Sequence, residues 1–505
     1  MKRFNRLVLA LACASLVVAS GSVGAQTARS AFDAKTMPSL AAMQAATPFQ
    51  ENNGYLPPSS YTGPVFSLSH DWPKVARFQA GPPPWRKAIN NGRINVHNAE
   101  AYANALKEAV TPNARKLILD YANWDAAKAG WYNEPWLGSL RDAIHGTYQA
   151  GQFGSSVFPG TGLKVTFQTN VVTYYDSIAA LTLRNFWGAD AMKPTLDTQH
   201  SQFLEDAIIV KAAVFSSTDK TQPTDWWPVL KGAAQWPMMI PVNPEADPPE
   251  DPTLWTGYVT QFDIIVKDKQ SSPDTGWVFM TLVYDANAPG KDAWDKMVPL
   301  GVQWGNDEAA GADSRKLVEN WNNPKAPKYS TQTLGWGDRL SGPNDGARNN
   351  ITFNGKAYVN YPNSSCMSCH STAEWSTTKN RMMSFLLPSY YADANPGFKL
   401  CNQQGKDDPE GTYICSPPPG SAAWMKWFKN RKGDVAMDPG SFATDFDEVF
   451  SFKALKLWYT ATNPKKEAAP QLKLLSRPGE TVRFNQYTGA PLPKTDNVPK
   501  SDNGN

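Results

Sequence analysis

The chain has 505 residues, 41% hydrophobic and 19% charged, enough apolar side chain for two or three domains with sizeable cores. The formal charge is +3, and Lys2, Arg3 and Arg6 supply three positives at the start, so the remainder comes to 3 − 3 = 0. A chain so balanced, with no basic stripe, lacks the electrostatic footprint of nucleic-acid binding.

Residues 1–25 read as an export signal peptide. A basic start is followed by an apolar run, Leu7 to Val18, too short to span a bilayer, and by Val23-Gly24-Ala25 before Gln26. The expected location is the periplasm, with no membrane span, and Cys13 leaves with the signal. Residues 26–160 form an N-terminal arm and helical region, punctuated early by Leu56-Pro57-Pro58 and Gly81-Pro82-Pro83-Pro84. Asn98 is placed to cap a helix to about Val110, and Thr111-Pro112 to restart a second one through Tyr121. From Trp124 the chain is dense in aromatics. Nineteen tryptophans invite a carbohydrate-platform reading, but core filling needs only that each indole N–H finds a partner. His70, His97, His145 and His200 read as hydrogen-bonded packing residues.

Residues 161–330 carry strand signals. Leu163 to Tyr174, Ile208 to Phe215, Tyr258 to Val266 and Trp277 to Tyr284 are rich in β-branched and aromatic residues. They predict an antiparallel β-rich domain. The loop from Pro244 to Pro252 holds four acids, yet its prolines and the lack of a Gly-centred turn favour a solvated loop over a Ca²⁺ site. No phosphate-cradling Gly loop and no G-x-S-x-G elbow occurs here.

Residues 331–464 contain the motif that organises the chain, Cys366-Met367-Ser368-Cys369-His370. C-x-x-C-H is the attachment spacing for a c-type haem. Two thiols three residues apart share one face of a helical turn, where each can add to a haem vinyl group. His370, four residues after Cys366, projects from that face as proximal iron ligand. Zinc would need two further ligands at similar spacing, and a thioredoxin-type site a preceding strand, which Tyr361-Pro362-Asn363-Ser364-Ser365 does not suggest. Cys401 and Cys415 flank a Gly/Pro/Asp-rich loop and are expected to form a disulfide in an oxidising compartment. Ser421 is placed to cap a helix to Lys432, and Thr444 with Asp447 to start a final amphipathic helix ending at Asn463-Pro464. Residues 465–505 form a polar tail.

A C-x-x-C-H site, then Met437 in a loop of glycines and proline, then a closing amphipathic helix resembles the monohaem c-type cytochromes; the layout is similar to large exported bacterial cytochromes of unassigned function. The resemblance covers about Gly335 to Pro464. It implies one covalent haem c per chain, thioethers at Cys366 and Cys369, His370 proximal and Met437 as the distal candidate. Met425 or another Met, a His or an open position are the alternatives at the sixth site. The implied fold class is α+β, with a helical and irregular N-terminal region, an antiparallel β-rich middle and a mostly α-helical cytochrome c-like haem domain. The implied function is single-electron transfer to a periplasmic redox partner protein. The alternative is a haem-dependent oxidoreductase acting on peroxide or a small-molecule substrate held by the N-terminal region. No acid/base constellation stands near the motif in sequence.

Overall fold

The computed structural model describes residues 57–463, apart from 190, 220, 241–251, 385, 390, 393–394 and 399–413. The expected signal segment, most of the four-acid loop, Cys401 and the C-terminal tail therefore lie outside the described residues.

An eight-stranded antiparallel sheet dominates the chain. It comprises β1 (Tyr148–Phe153), β2 (Phe167–Tyr175), β3 (Ile208–Ser217), β4 (Ala234–Ile240), β5 (Thr253–Lys267), β6 (Trp277–Tyr284), β7 (Met297–Gln303) and β8 (Asn320–Asn322). Their order is β1-β2-β3-β5-β6-β7-β8, with β4 paired to the first half of the long β5. The four strand runs expected from sequence all form, because β-branched and aromatic side chains fit a pleated surface buried on both faces.

Side chains alternate between two cores along each strand, as a period of two requires. Val210, Ala212 and Val214 of β3 and Val278, Met280 and Leu282 of β6 point into the first core. The helix α1 (Ala99–Leu119) covers that face through Tyr102, Leu106, Val110, Ala114 and Leu117. The sequence suggested two helices here, but α1 runs straight through Pro112. Its buried stripe on the sheet outweighs the one backbone hydrogen bond that proline removes. On the opposite face Ile209, Trp277, Phe279 and Val283 meet α2 (Ser177–Trp187), which Asp176 caps by accepting from the Ile178 and Ala179 amides. This second core also takes in Cys366, Met367, Phe446 and Phe450.

The α+β expectation is overturned, and the fold is mainly antiparallel β. Among the described residues past 330 the chain does not build a mostly helical domain. It makes the hairpin β9 (Arg348–Phe353) and β10 (Lys356–Pro362) about Asn354-Gly355, both residues at positive φ, as a two-residue hairpin turn demands. Shorter strand pairs follow, such as Glu374–Ser376 with Ser441–Ala443. The helices in this part are short: α3 (Cys366–His370), a turn at Ala422–Met425, and a π-helical turn at Val449–Ala454 continuing into α4 (Leu455–Thr462). Ser421 does cap its turn, through the Trp424 amide, but the helix stops after four residues. The closing helix begins at Val449 instead of Thr444, because Asp445 and Phe446 stand at positive φ. Among the described residues no helix is long and apolar enough to cross a membrane.

Candidate functional site

A five-residue helix does not hold itself, and α3 is fixed at three points. Ser365 caps it, its hydroxyl accepting from the Ser368 amide while the Ser368 side chain accepts from the Ser365 amide. The Met367 side chain is fully buried in the second core, contributing roughly 2–3 kcal/mol. Gln303 of β7 reaches up from the sheet, accepting from the Met367 amide at 3.0 Å and donating to Ser365 Oγ at 3.3 Å. The approach to α3 is equally tight. The Cys366 amide donates to Leu340 O, and the Trp336 amide to Ser364 O, both at 2.9 Å. A Cβ on Gly335 would stand 1.8 Å from Ser364 O, so only glycine fits.

Within this frame both thiols are free and His370 lies against the ring of Phe279, with centroids 4.7 Å apart. His370 Nδ1 donates to the Phe446 carbonyl at 2.8 Å. That bond fixes the tautomer and leaves the Nε2 lone pair for a metal. Burial pushes the imidazole pKa down to about 4, so the ring is neutral at physiological pH. Burial also raises both thiols, Cys366 well above its ordinary value and Cys369 to about 12. This is opposite to a redox-active dithiol, whose attacking sulfur is held as thiolate. Among the described residues no group of three His, Cys, Asp or Glu could hold a bare metal ion. The donors that α3 itself offers a cofactor are two thiols and one neutral imidazole.

The sheet face beside the motif carries charge that sequence reading missed. Lys211 of β3 pairs with Asp263 of β5 at 2.6 Å and Asp345 at 2.9 Å. Gln261 donates to both carboxylates, and the Cys366 thiol lies 3.7 Å from Asp345 Oδ2. Burial opposes the Lys211 charge, but the two carboxylates overcome it and raise its pKa. Burial raises Asp263, whereas Lys211 and the Gly342 amide overcome the same penalty at Asp345 and hold it low. These residues are 134 positions apart at the extremes: the β3–β5 register pairs Lys211 with Asp263, and the turn from Gly342 to Asp345 brings in the third.

Met437 is buried in a third core with Trp336, Trp424, Trp427 and Phe428, apart from the core that holds Cys366. Its loop is pinned to the motif segment. Glu374, four residues after His370, accepts from the Met437 amide at 2.6 Å and the Asp438 amide at 3.0 Å. Burial and the nearby Asp438 charge raise Glu374. Met425, the other candidate, packs at the edge of the same third core.

Three of the remaining histidines have partners of their own. His145 stacks on Trp236 at 4.3 Å and contacts Pro237 O at 2.9 Å, His200 pairs with Asp197, and His70 contacts Leu68 O. His97 is exposed. Cys415, buried on a two-residue strand beside β9, is not among the free thiols. No family model, curated protein or solved structure matches this chain.

Proposed function

We propose that this chain is a periplasmic monohaem c-type cytochrome that passes single electrons to a redox partner protein. Cys366 and Cys369 would hold the haem, His370 would be the proximal ligand, and Met437 is the candidate on the other side. When bound, the haem iron supplies a one-electron couple. The protein's part is to hold a neutral imidazole in one tautomer, keep the thiols out of other chemistry, and exclude water with the aromatic cores around α3. The observation that carries this reading is the His370 Nδ1–Phe446 O hydrogen bond, which presents Nε2 beside two free thiols on one helical turn. Intact mass of chain matured with a haem-attachment system should show one added haem that survives acid–acetone extraction. Loss of haem on extraction would overturn the proposal.

A second reading, a haem-dependent oxidoreductase, is favoured by one observation. Lys211, Asp263 and Asp345 form a buried acid/base group next to Cys366, where a pure electron carrier needs none. Ready cyanide and CO binding by the wild-type protein would select this reading over the first. The Cys401–Cys415 disulfide belongs to the same proposal of an exported protein. Non-reducing peptide mapping should recover the two residues linked, and free thiols at both would contradict it.

A further inference from the structure

The acceptor of the His370 hydrogen bond sits on unusual backbone. Asp445 and Phe446 are consecutive non-glycine residues at positive φ, +48° and +67°. An aromatic residue there is disfavoured by contact of its Cβ with the backbone, and such a conformation persists only where surroundings over-determine it. The surroundings are specific. The Asp445 carboxylate is fully buried. Its Oδ1 accepts from Trp277 Nε1 at 2.8 Å and from the Lys267 ammonium, and its Oδ2 accepts from the Phe203 amide at 2.8 Å. Lys267 and Trp277 are register partners on β5 and β6, and the ammonium lies 4.8 Å over the Trp277 ring. Gly433 closes the remaining side, where a Cβ would stand 1.5 Å from Asp445 Oδ1. Lys267 is buried at the end of β5, after the apolar run Ile264-Ile265-Val266, a costly place for a charge unless a specific partner holds it.

We infer that Asp445 is the positioning residue for His370: anchored by Lys267, Trp277 and Phe203, it holds the left-handed Asp445–Phe446 pair that aims the Phe446 carbonyl at Nδ1. The inference rests on the haem reading for its consequence, since this hydrogen bond sets how strongly the imidazole donates to iron. A stronger donor favours the ferric state, so Asp445 keeps the reduction potential down. Phe446 cannot aim its carbonyl unaided, because its own side chain only packs, against Phe279 at 6.3 Å.

The test compares wild type, Asp445→Asn, Gly433→Ala and Trp277→Phe as full-length protein. It reads haem count by mass, the His370 Nδ1–H resonance and its solvent exchange, and the reduction potential. Asp445→Asn and Gly433→Ala should keep one haem, move the Nδ1–H resonance upfield, speed its exchange about tenfold and raise the potential. A merely structural role would lower stability and leave resonance and potential in place. Should both variants carry one haem with resonance, exchange and potential unchanged, the inference is overturned while the haem reading stands. Absence of covalent haem from wild type removes the haem reading, and the Nδ1–H resonance alone then decides the role of Asp445. If Asp445→Asn fails to fold, Trp277→Phe, which deletes one donor, should shift the resonance the same way by less. No shift there overturns the inference.

Discussion

Replacing Arg339 with Met should loosen the platform that presents the C-x-x-C-H helix. Arg339 is fully buried, and its guanidinium donates only to backbone carbonyls: Nε to Asn306 at 2.8 Å, Nη1 to Gly311 at 2.8 Å and Trp336 at 2.9 Å, and Nη2 to Asp307 at 2.9 Å. It also lies over the Trp336 and Phe428 rings at 4.9 and 5.1 Å. Burial pushes its pKa down to about 10, which leaves it charged at neutral pH. Met keeps most of the stem volume, so the loss is chiefly four carbonyls deprived of a charged donor. At roughly 1 kcal/mol each the cost is about 4 kcal/mol. Lys reaches one or two of the four, because it lacks the planar fork, and should cost about half as much. The effect reaches the site because the neighbouring Leu340 carbonyl accepts the Cys366 amide. Urea unfolding followed by tryptophan fluorescence, converted through midpoint and slope, reads the stability, and haem per chain reads the site. An Arg339→Met protein within about 1 kcal/mol of wild type would refute the claim that this guanidinium pins the loops together.

Met437→Ala should lower the reduction potential, abolish the weak Met-to-iron charge-transfer band and open the iron to cyanide; an unchanged spectrum and potential would put the ligand elsewhere. In Gly335→Ala the new Cβ collides with Ser364 O, displacing the Ser365 cap, so haem content should fall and about 1 kcal/mol of capping should be lost. Full haem loading and wild-type unfolding in that variant would argue against the close approach. His145 is buried and its pKa is depressed by burial from 6.5 to about 3. Between those values the unfolded chain takes a proton that the folded chain refuses, so stability should fall as pH drops from about 6.5 toward 3. His145→Gln should flatten that part of the profile, and an equally steep decline in the variant would place the sensitivity in other groups.

Much of this protein is written locally. The strand runs at 208–215, 258–266 and 277–284 match β3, β5 and β6 because alternation and β-branching act over neighbours in the chain. The C-x-x-C-H segment likewise forms the single helical turn its spacing suggests, and Ser365 caps it from the adjacent position. Local signals misled past residue 330. The Ser421 turn stops after four residues, and the closing helix starts at Val449 instead of Thr444, because Asp445 and Phe446 stand at positive φ, which no helix continues through. Pro112 erred the other way, since a tertiary surface carried α1 through it. What surrounds the motif was not legible at all. Lys211 with Asp345, Lys267 with Asp445 and Tyr175 with Asp447 are separated by 134, 178 and 272 residues. No periodicity encodes such pairs. They exist because the segments carrying Asp345, Asp445 and Asp447 fold back onto the sheet, where β3, β5 and β2 present Lys211, Lys267 and Tyr175, and because a buried charge is stable only where the folded chain delivers its partner.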